Sequence, residues 1–454
     1  MKRFGIILVT LSVIALSACG GPSAPAEAPN APTAVTATAG PGYVDLGWQH
    51  DGRGLTGFAV YRSPVATGPA SAARASTTPI AELDAAARTY RDASVPLGPG
   101  YEYRVTALGA GGASPSAEAG GGPVWAACAA GGDAVAIADP SLEAAVRAEL
   151  ERTDGPLSCD DLAVLTILVA EGVGIASLAG LQYATNLVTL RVNENAIGDL
   201  WPLAGLTTIE HLQFHDNRVS DPTPLADLLA LRVVMLGDNP IDSIEVLRDK
   251  HALRFVGAAR TTITDLSPLA DKDQLIYLWV NGASNVTDFS PLAGLSALET
   301  LLIGGTAFGD GDMPMLAGMP ALTRLQLWAT SVSDLTALAG TQLTNELDIG
   351  GSQVRDLTPI HHMTGLQQLR LGWLGLQAGD LGFLDGFGAL TLLDLQGNDL
   401  TSLASVVALP GLGAGDRLDV SSNRLDLADA AVQADIAALV DRGVDVLYEP
   451  QRVN

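Results

Sequence analysis

Leu187-Val188-Thr189-Leu190-Arg191-Val192-Asn193-Glu194-Asn195-Ala196-Ile197 is followed 22 residues later by Ile209-Glu210-His211-Leu212-Gln213-Phe214-His215-Asp216-Asn217-Arg218-Val219. A third version is Leu231, Val234, Leu236, Asn239 and Ile241, with the same spacing. The apolar residue at the fourth position then recurs as Val256, Leu278, Leu301, Leu325, Leu347, Leu369, Leu393 and Leu418, making eleven copies mostly 22 residues apart. A period of this length marks a stacked repeat, because no single unit can bury its own apolar face.

The interior of each copy predicts one turn of a coil. The residues at Leu-x-x-Leu-x-Leu point inward and stack on the next copy, so Leu278 and Leu325 are expected to be fully buried. The Asn sits where the strand ends, and its amide can satisfy backbone groups that the bend leaves unpaired. That position lapses to Thr261, Thr306, Thr330, Ser352 and Leu374, which predicts an irregular coil near Gly372 to Leu376. Between strands runs a second signature, Asp265-Leu266-Ser267-Pro268-Leu269-Ala270, echoed at Asp288-Phe289-Ser290-Pro291-Leu292-Ala293 and Asp356-Leu357-Thr358-Pro359-Ile360. Here Ser or Thr before Pro is expected to cap a short helical turn.

These motifs resemble the internalin-like leucine-rich repeats of bacterial surface proteins. The resemblance covers roughly residues 135–454 and implies an α/β solenoid, with parallel strands on its concave face and short helical or 3-10 turns on its convex face. Repeats would occupy 181–423. Residues 124–180 would form a helical N-terminal cap, with Asp139 capping a helix that carries Leu142, Val146 and Leu150 on one face. Leu162, Leu165 and Ile167 would form a first, imperfect repeat. Residues 424–454, ending in Gly443-Val444-Asp445-Val446-Leu447-Tyr448-Glu449-Pro450-Gln451, resemble that family's closing segment.

Upstream, residues 32–123 show short alternating runs, the clearest being Tyr101-Glu102-Tyr103-Arg104-Val105-Thr106-Ala107. With Trp48 for the core and Tyr101 opening a late strand, the segment resembles a fibronectin type III domain, an all-β sandwich. It has no Arg-Gly-Asp loop, so a spacer role is expected. Residues 1–18 read as an export signal: Lys2 and Arg3, an apolar run from Phe4 to Ala15, then Leu16-Ser17-Ala18-Cys19. The last four resemble the lipobox of bacterial lipoproteins, which implies lipidation of Cys19, anchoring in the cell envelope (outer membrane or cell surface), and a tether over 19–31. The alternative is an ordinary secretory signal cut near Ala18. Three cysteines are present; with Cys19 lipidated, Cys128 and Cys159 are the only pair left for a disulfide, the alternative being two free buried thiols.

The charge is −25. It repels phosphate backbones and argues against nucleic acid as a partner. No Gly-x-Ser-x-Gly, His-Glu-x-x-His or phosphate loop occurs, and the six His residues are scattered. Binding rather than catalysis follows, with no cofactor or metal expected. Strand alternation puts Thr189, His211, Val233, Phe255, Tyr277, Thr300, Arg324, Glu346 and Gln368 in one outward column. The next holds Arg191, Gln213, Met235, Gly257, Trp279, Leu302, Gln326, Asp348, Arg370 and Asp394. Phe255, Tyr277, Trp279, Leu302 and Trp328 are therefore expected to share an at least partly exposed patch on the concave face. Arg324 and Glu346 would lie at its edge, and Asp348, Arg370 and Asp394 would make a surface charge ladder. Such a patch points to a protein partner, with a glycan as the alternative. A purely structural or adhesive envelope role, without a discrete ligand, is the competing reading.

Overall fold

A computed structural model describes residues 27–40, 43–64, 78–92, 101–121 and 134–452. Cys19, Cys128 and the expected signal segment 1–18 lie outside these residues. The chain divides into two compact units, 1–126 and 127–454.

The first unit is all antiparallel. One sheet runs β1 (Thr33–Gly40), β2 (Tyr43–Gln49) and β5 (Thr89–Asp92); the other runs β4 (Ala81–Asp84), β3 (Leu55–Pro64), β6 (Tyr101–Gly109) and β7 (Gly112–Ala113), with β8 (Ala117–Gly121) also on β6. Val44, Leu46 and Trp48 from the first sheet and Phe58, Val60, Tyr103 and Val105 from the second bury a common core. Trp48 meets Phe58 edge-on at 5.3 Å between ring centres. Tyr101 opens β6, and Tyr103, two residues on, donates its hydroxyl to buried Asp92 at 2.8 Å. Arg62 pairs with the same carboxylate at 2.6 Å, so this buried charge is compensated.

The second unit opens with β9 (Ala134–Val135), which pairs with β10 (Leu157–Ser158) across helix α1 (Pro140–Glu149). The Asp139 carboxylate accepts from Ser141 and Leu142 N–H groups and caps α1, and Leu142 and Val146 are fully buried. Helix α2 (Cys159–Ala163) starts on a capping box made by Ser158 and Asp161. Cys159 is buried and disulfide-bonded.

The repeats then form a parallel sheet of thirteen three-residue strands among the described residues. In order these are β11 (Ile167–Val169), β12 (Thr189–Arg191), β13 (His211–Gln213), β14 (Val233–Met235), β15 (Phe255–Gly257), β16 (Tyr277–Trp279), β17 (Thr300–Leu302), β18 (Arg324–Gln326), β19 (Glu346–Asp348), β20 (Gln368–Arg370), β21 (Leu392–Asp394), β22 (Arg417–Asp419) and β23 (Asp445–Leu447). Each pairs in register with the next, so Leu190 lies opposite Leu212 and Leu278 opposite Leu301. The middle residue points inward: Leu190, Leu278, Leu325 and Leu393 have no solvent exposure, and one apolar core runs from Ile137 to Val444. Among the described residues no helix is long and apolar enough to cross a membrane.

Three expectations need correcting. In the first coil the inward residue is Leu168, fully buried, whereas Ile167 is 47% exposed. The spacing Leu165-x-x-Leu168 keeps the repeat's register, and Ile167 falls on the alternate face. The short 3-10 turns, such as Ser267–Leu269 and Thr358–Ile360, are not capped by the Ser or Thr. The Asp two residues earlier does this: Asp265 accepts from Ser267 N at 2.7 Å and Asp356 from Thr358 N at 2.9 Å. An anionic oxygen is the stronger acceptor, and the hydroxyl lies already inside the turn. Nor is the backbone around Leu374 irregular. The residue before the Asn position takes a left-handed conformation in coil after coil, as at Glu194, Asp216, Asp238, Arg260, Ala329 and Ser422, and Trp373 does the same at φ 61°.

Candidate binding surface on the open face of the sheet

Since the middle residue of each strand from β11 to β22 is buried, the first and third face outward. Continuing the alternation adds a third outward residue two positions beyond the strand, which places Asn281, Gly304, Trp328, Gly350, Gly372 and Gln396 in line. Parallel strands stand about 4.8 Å apart, so these three columns form a regular grid.

Phe255 and Tyr277 are neighbours in the first column and both are half-buried. Their ring centres lie 6.0 Å apart with planes tilted by 30°, within the range of aromatic contact. Burial pushes the Tyr277 hydroxyl above the usual phenol range. Trp279, half-buried in the adjacent column, receives the Arg260 guanidinium 5.9 Å from its ring centre. Between Met235 and Trp279 sits Gly257, where a Cβ would come within 2.5 Å of Met235 Sδ and 3.7 Å of Trp279 Cε3. The absent side chain lets a thioether and an indole close over one strand. Met235 and Arg260 thus belong to the patch. The Gly between two large outward residues was the sequence signal for this.

Two residues assigned to the patch behave differently. Leu302 is only 4% exposed, so it is floor rather than contact surface. Trp279 and Gln326 flank it on the neighbouring strands and shield its short side chain. Trp328 is half-buried, with its indole spread over the preceding coil, where a Cβ on Gly304 would overlap the ring.

The polar end is more organised than a rim. Glu346, expected at the edge of the patch, has no exposure. Its carboxylate meets Arg324 Nε at 2.6 Å and Arg370 Nε at 3.0 Å, and Gln326 Nε2 donates to it at 3.0 Å. Asn281 in turn donates to Gln326 Oε1 at 2.8 Å. The network fixes Arg324 beside the aromatic cluster. Its members come from coils up to 89 residues apart, Asn281 to Arg370, so a scan along the chain sees only separate polar residues. Among the described residues no group of three or more His, Cys, Asp or Glu is placed to hold a metal ion.

No protein-family model matches the chain, and no curated protein matches it. Solved structures do. An internalin from Listeria monocytogenes superposes with a TM-score of 0.58 at 26% identity, over 70% of this chain and 90% of that one. Internalin C2 from the same species is 27% identical over 51% of this chain and 93% of its own, with a TM-score of 0.43. A TDR receptor shares the fold at 15% identity and a TM-score of 0.50, over 64% of this chain and 57% of its own. The chain is a leucine-rich-repeat solenoid of internalin-like fold.

Proposed function

We propose that this chain recognises a protein partner through the open face of its repeat sheet, and acts at the cell envelope as a binding protein rather than an enzyme. The observation that carries this reading is the half-exposed cluster of Met235, Phe255, Tyr277 and Trp279 on three successive strands, bordered by Arg260 and Arg324. Aromatic anchors edged by arginine are the usual composition of an interface hot spot, where one truncation can cost about 2 kcal/mol or more. None of these side chains belongs to the buried core, which the inward residues of the strands and of the turns between them fill.

The rest of the chain fits an envelope-anchored module. Cys19 would carry lipid after removal of residues 1–18, residues 19–31 would serve as tether, and the antiparallel unit over 32–123 would be a fibronectin type III-like spacer. Residues 124–180, 181–423 and 424–454 would be N-terminal cap, repeats and C-terminal cap. Cys128 is the proposed disulfide partner of Cys159, closing a loop of about thirty residues worth roughly 3–4 kcal/mol in the chain-entropy model.

The test is capture of partners from envelope extracts of the parent organism, by wild type, by Trp279→Ala and by Leu229→Ala, an exposed position remote from the open face. Trp279→Ala is expected to lose capture with its melting temperature nearly unchanged, and Leu229→Ala to retain it. Equal capture by all three proteins refutes the proposed surface. A large drop in melting temperature for Trp279→Ala would mean that the ring is core.

A further inference from the structure

In each inner coil the residue before a strand turns its carbonyl forward to the next coil, and the residue after the strand turns its N–H forward. Val188 O accepts from His211 N and Val192 N donates to Gln213 O; at the last joint Asp416 O accepts from Asp445 N and Val420 N donates to Leu447 O. Their equivalents in the final coil, Val444 O and Tyr448 N, bond nothing among the described residues. The tail beyond them turns back to the previous coil, where Ser422 N donates to Pro450 O and Arg452 N to Asn423 O. β23 therefore ends the sheet with its forward edge unpaired. The core is open at the same place. Val446, the middle residue of β23, is half-buried, whereas the middle residue of every earlier strand of the sheet is fully buried. Two residues on, Tyr448 borders a groove of about 450 Å³ against the closing helix Ala430–Asp441, lined also by Leu427, Ile436 and Val440. Val440 is 51% exposed. Terminal units of a solenoid need a polar outer face; this one leaves apolar side chains open to water. Of the residues lining the groove only Asp441 and Glu449 are charged, and among the described residues neither has an ion pair. The nearest guanidinium, that of Arg442, turns away and donates from Nη1 to Leu409 O at 3.1 Å.

We infer that this end of the array is a second recognition site, which takes an extended segment of a partner protein as a further strand on β23, with an apolar side chain in the groove and a lysine or arginine within two positions of it. The unpaired edge selects the strand, because main-chain bonds to Val444 O and Tyr448 N continue the ladder that joins every inner pair. Alternation along that strand turns every second side chain to the core side, where the groove receives it. Charge selects the basic flank, since both charges on the groove are carboxylates, on a chain of net charge −25. Charge also sets aside a second copy of the chain: two copies joined edge to edge about a two-fold axis would bring Asp441 and Glu449 of both to one junction. The site is separate from the aromatic cluster of the open face. β23 stands seven strands beyond β16 in the sheet order, roughly 34 Å at the usual strand separation.

A random twelve-residue peptide display library, panned on the purified full-length chain, tests this, the selected peptides then being synthesised and their affinities measured by fluorescence anisotropy. Wild type is expected to select a class with apolar residues at alternate positions and Lys or Arg within two positions of one of them. Val440→Asp, at an exposed helix position, is expected to weaken that class at least tenfold. Asp441→Lys with Glu449→Lys, both on the surface, is expected to do the same and serves if the first variant does not fold. Trp279→Ala is expected to leave the class bound as before. Methylating the backbone amides along one edge of a selected peptide is expected to abolish its binding, and methylating those along the other edge to spare it. A library that yields no such class, a class indifferent to the end-site variants, a class lost with Trp279→Ala, or an equal effect of methylation on the two edges overturns the inference.

Discussion

Lys250 occupies a position that other coils fill with Leu206, Leu228, Leu295 and Leu412, all buried. It has no exposure, and its Nζ donates to the carbonyl of Ala226, one coil back, at 2.8 Å. Lys272 repeats the device one coil later, with its Nζ on the Arg248 carbonyl at 2.5 Å. Burial drives the Lys250 ammonium down from the ordinary 10.5 to about 8. That difference corresponds to roughly 3 kcal/mol of cost for carrying the charge when folded. Replacing Lys250 by Met removes the cost and forfeits one hydrogen bond of about 1 kcal/mol, so Lys250→Met should stabilise the protein by about 1–3 kcal/mol at pH 7. The pH dependence has a definite sign. Between about 8 and 10.5 the unfolded chain holds a proton that the folded chain has released, so this lysine makes wild-type stability rise with pH in that window and leaves it flat below. Urea unfolding of wild type and variant at pH 7, 8.5 and 10 isolates the lysine as the difference between the curves. The advantage of the variant should shrink as pH rises. A variant less stable by more than about 1 kcal/mol at pH 7, or a difference independent of pH, would refute the reasoning.

Leu278→Ala and Leu325→Ala remove fully buried side chains from the middle of the stack and should each cost about 2–5 kcal/mol in urea unfolding; losses well under 1 kcal/mol at both sites would contradict the register. Ala329 holds φ at 50°, a conformation that disfavours a Cβ by about 1 kcal/mol, so Ala329→Gly should raise the unfolding midpoint, and a clear decrease would show that the turn is not strained. Cys19→Ser should move the mature protein from the membrane to the soluble fraction, and recovery of unchanged membrane-bound protein would end the lipid-anchor proposal.

The repeat register was legible because every coil restates it. A misplaced leucine would have been exposed in one copy and contradicted by ten others. The first coil had no such redundancy: in Ile167-Leu168-Val169 three apolar residues stand together, alternation gives no direction, and Ile167 was placed inward. The positions of Phe255, Tyr277 and Trp279 on the outward side followed from alternation alone. What alternation does not encode is how outward residues cover one another. Leu302 becomes floor and Glu346 becomes fully buried because of side chains that arrive from neighbouring coils, 20 or more residues away in the chain. The Asp caps were hidden for a different reason. Ser-Pro and Thr-Pro are strong local signals, and the carboxylate that does the capping stands outside the dipeptide.

The Asn positions have a mechanical consequence. Asn217 Nδ2 donates to Val192 O of the preceding coil, while its Oδ1 accepts from Ile197 N of that coil. Asn195, Asn239, Asn398 and Asn423 make the same two-way link. Thr261, Thr306 and Thr330 each donate only to a carbonyl three residues back within their own coil. The array is therefore joined by shared asparagine amides towards both ends, while the coils that carry Trp279 and Trp328 lack this link and are joined instead through Asn281, Gln326, Glu346 and Arg370 on the open face. Each shared amide absent from a joint forfeits about two hydrogen bonds of roughly 1 kcal/mol each, and the links across the open face offset part of that loss in the central coils. What joins neighbouring coils thus moves from the buried turn at the ends of the array to the open face at its middle, beside the aromatic cluster.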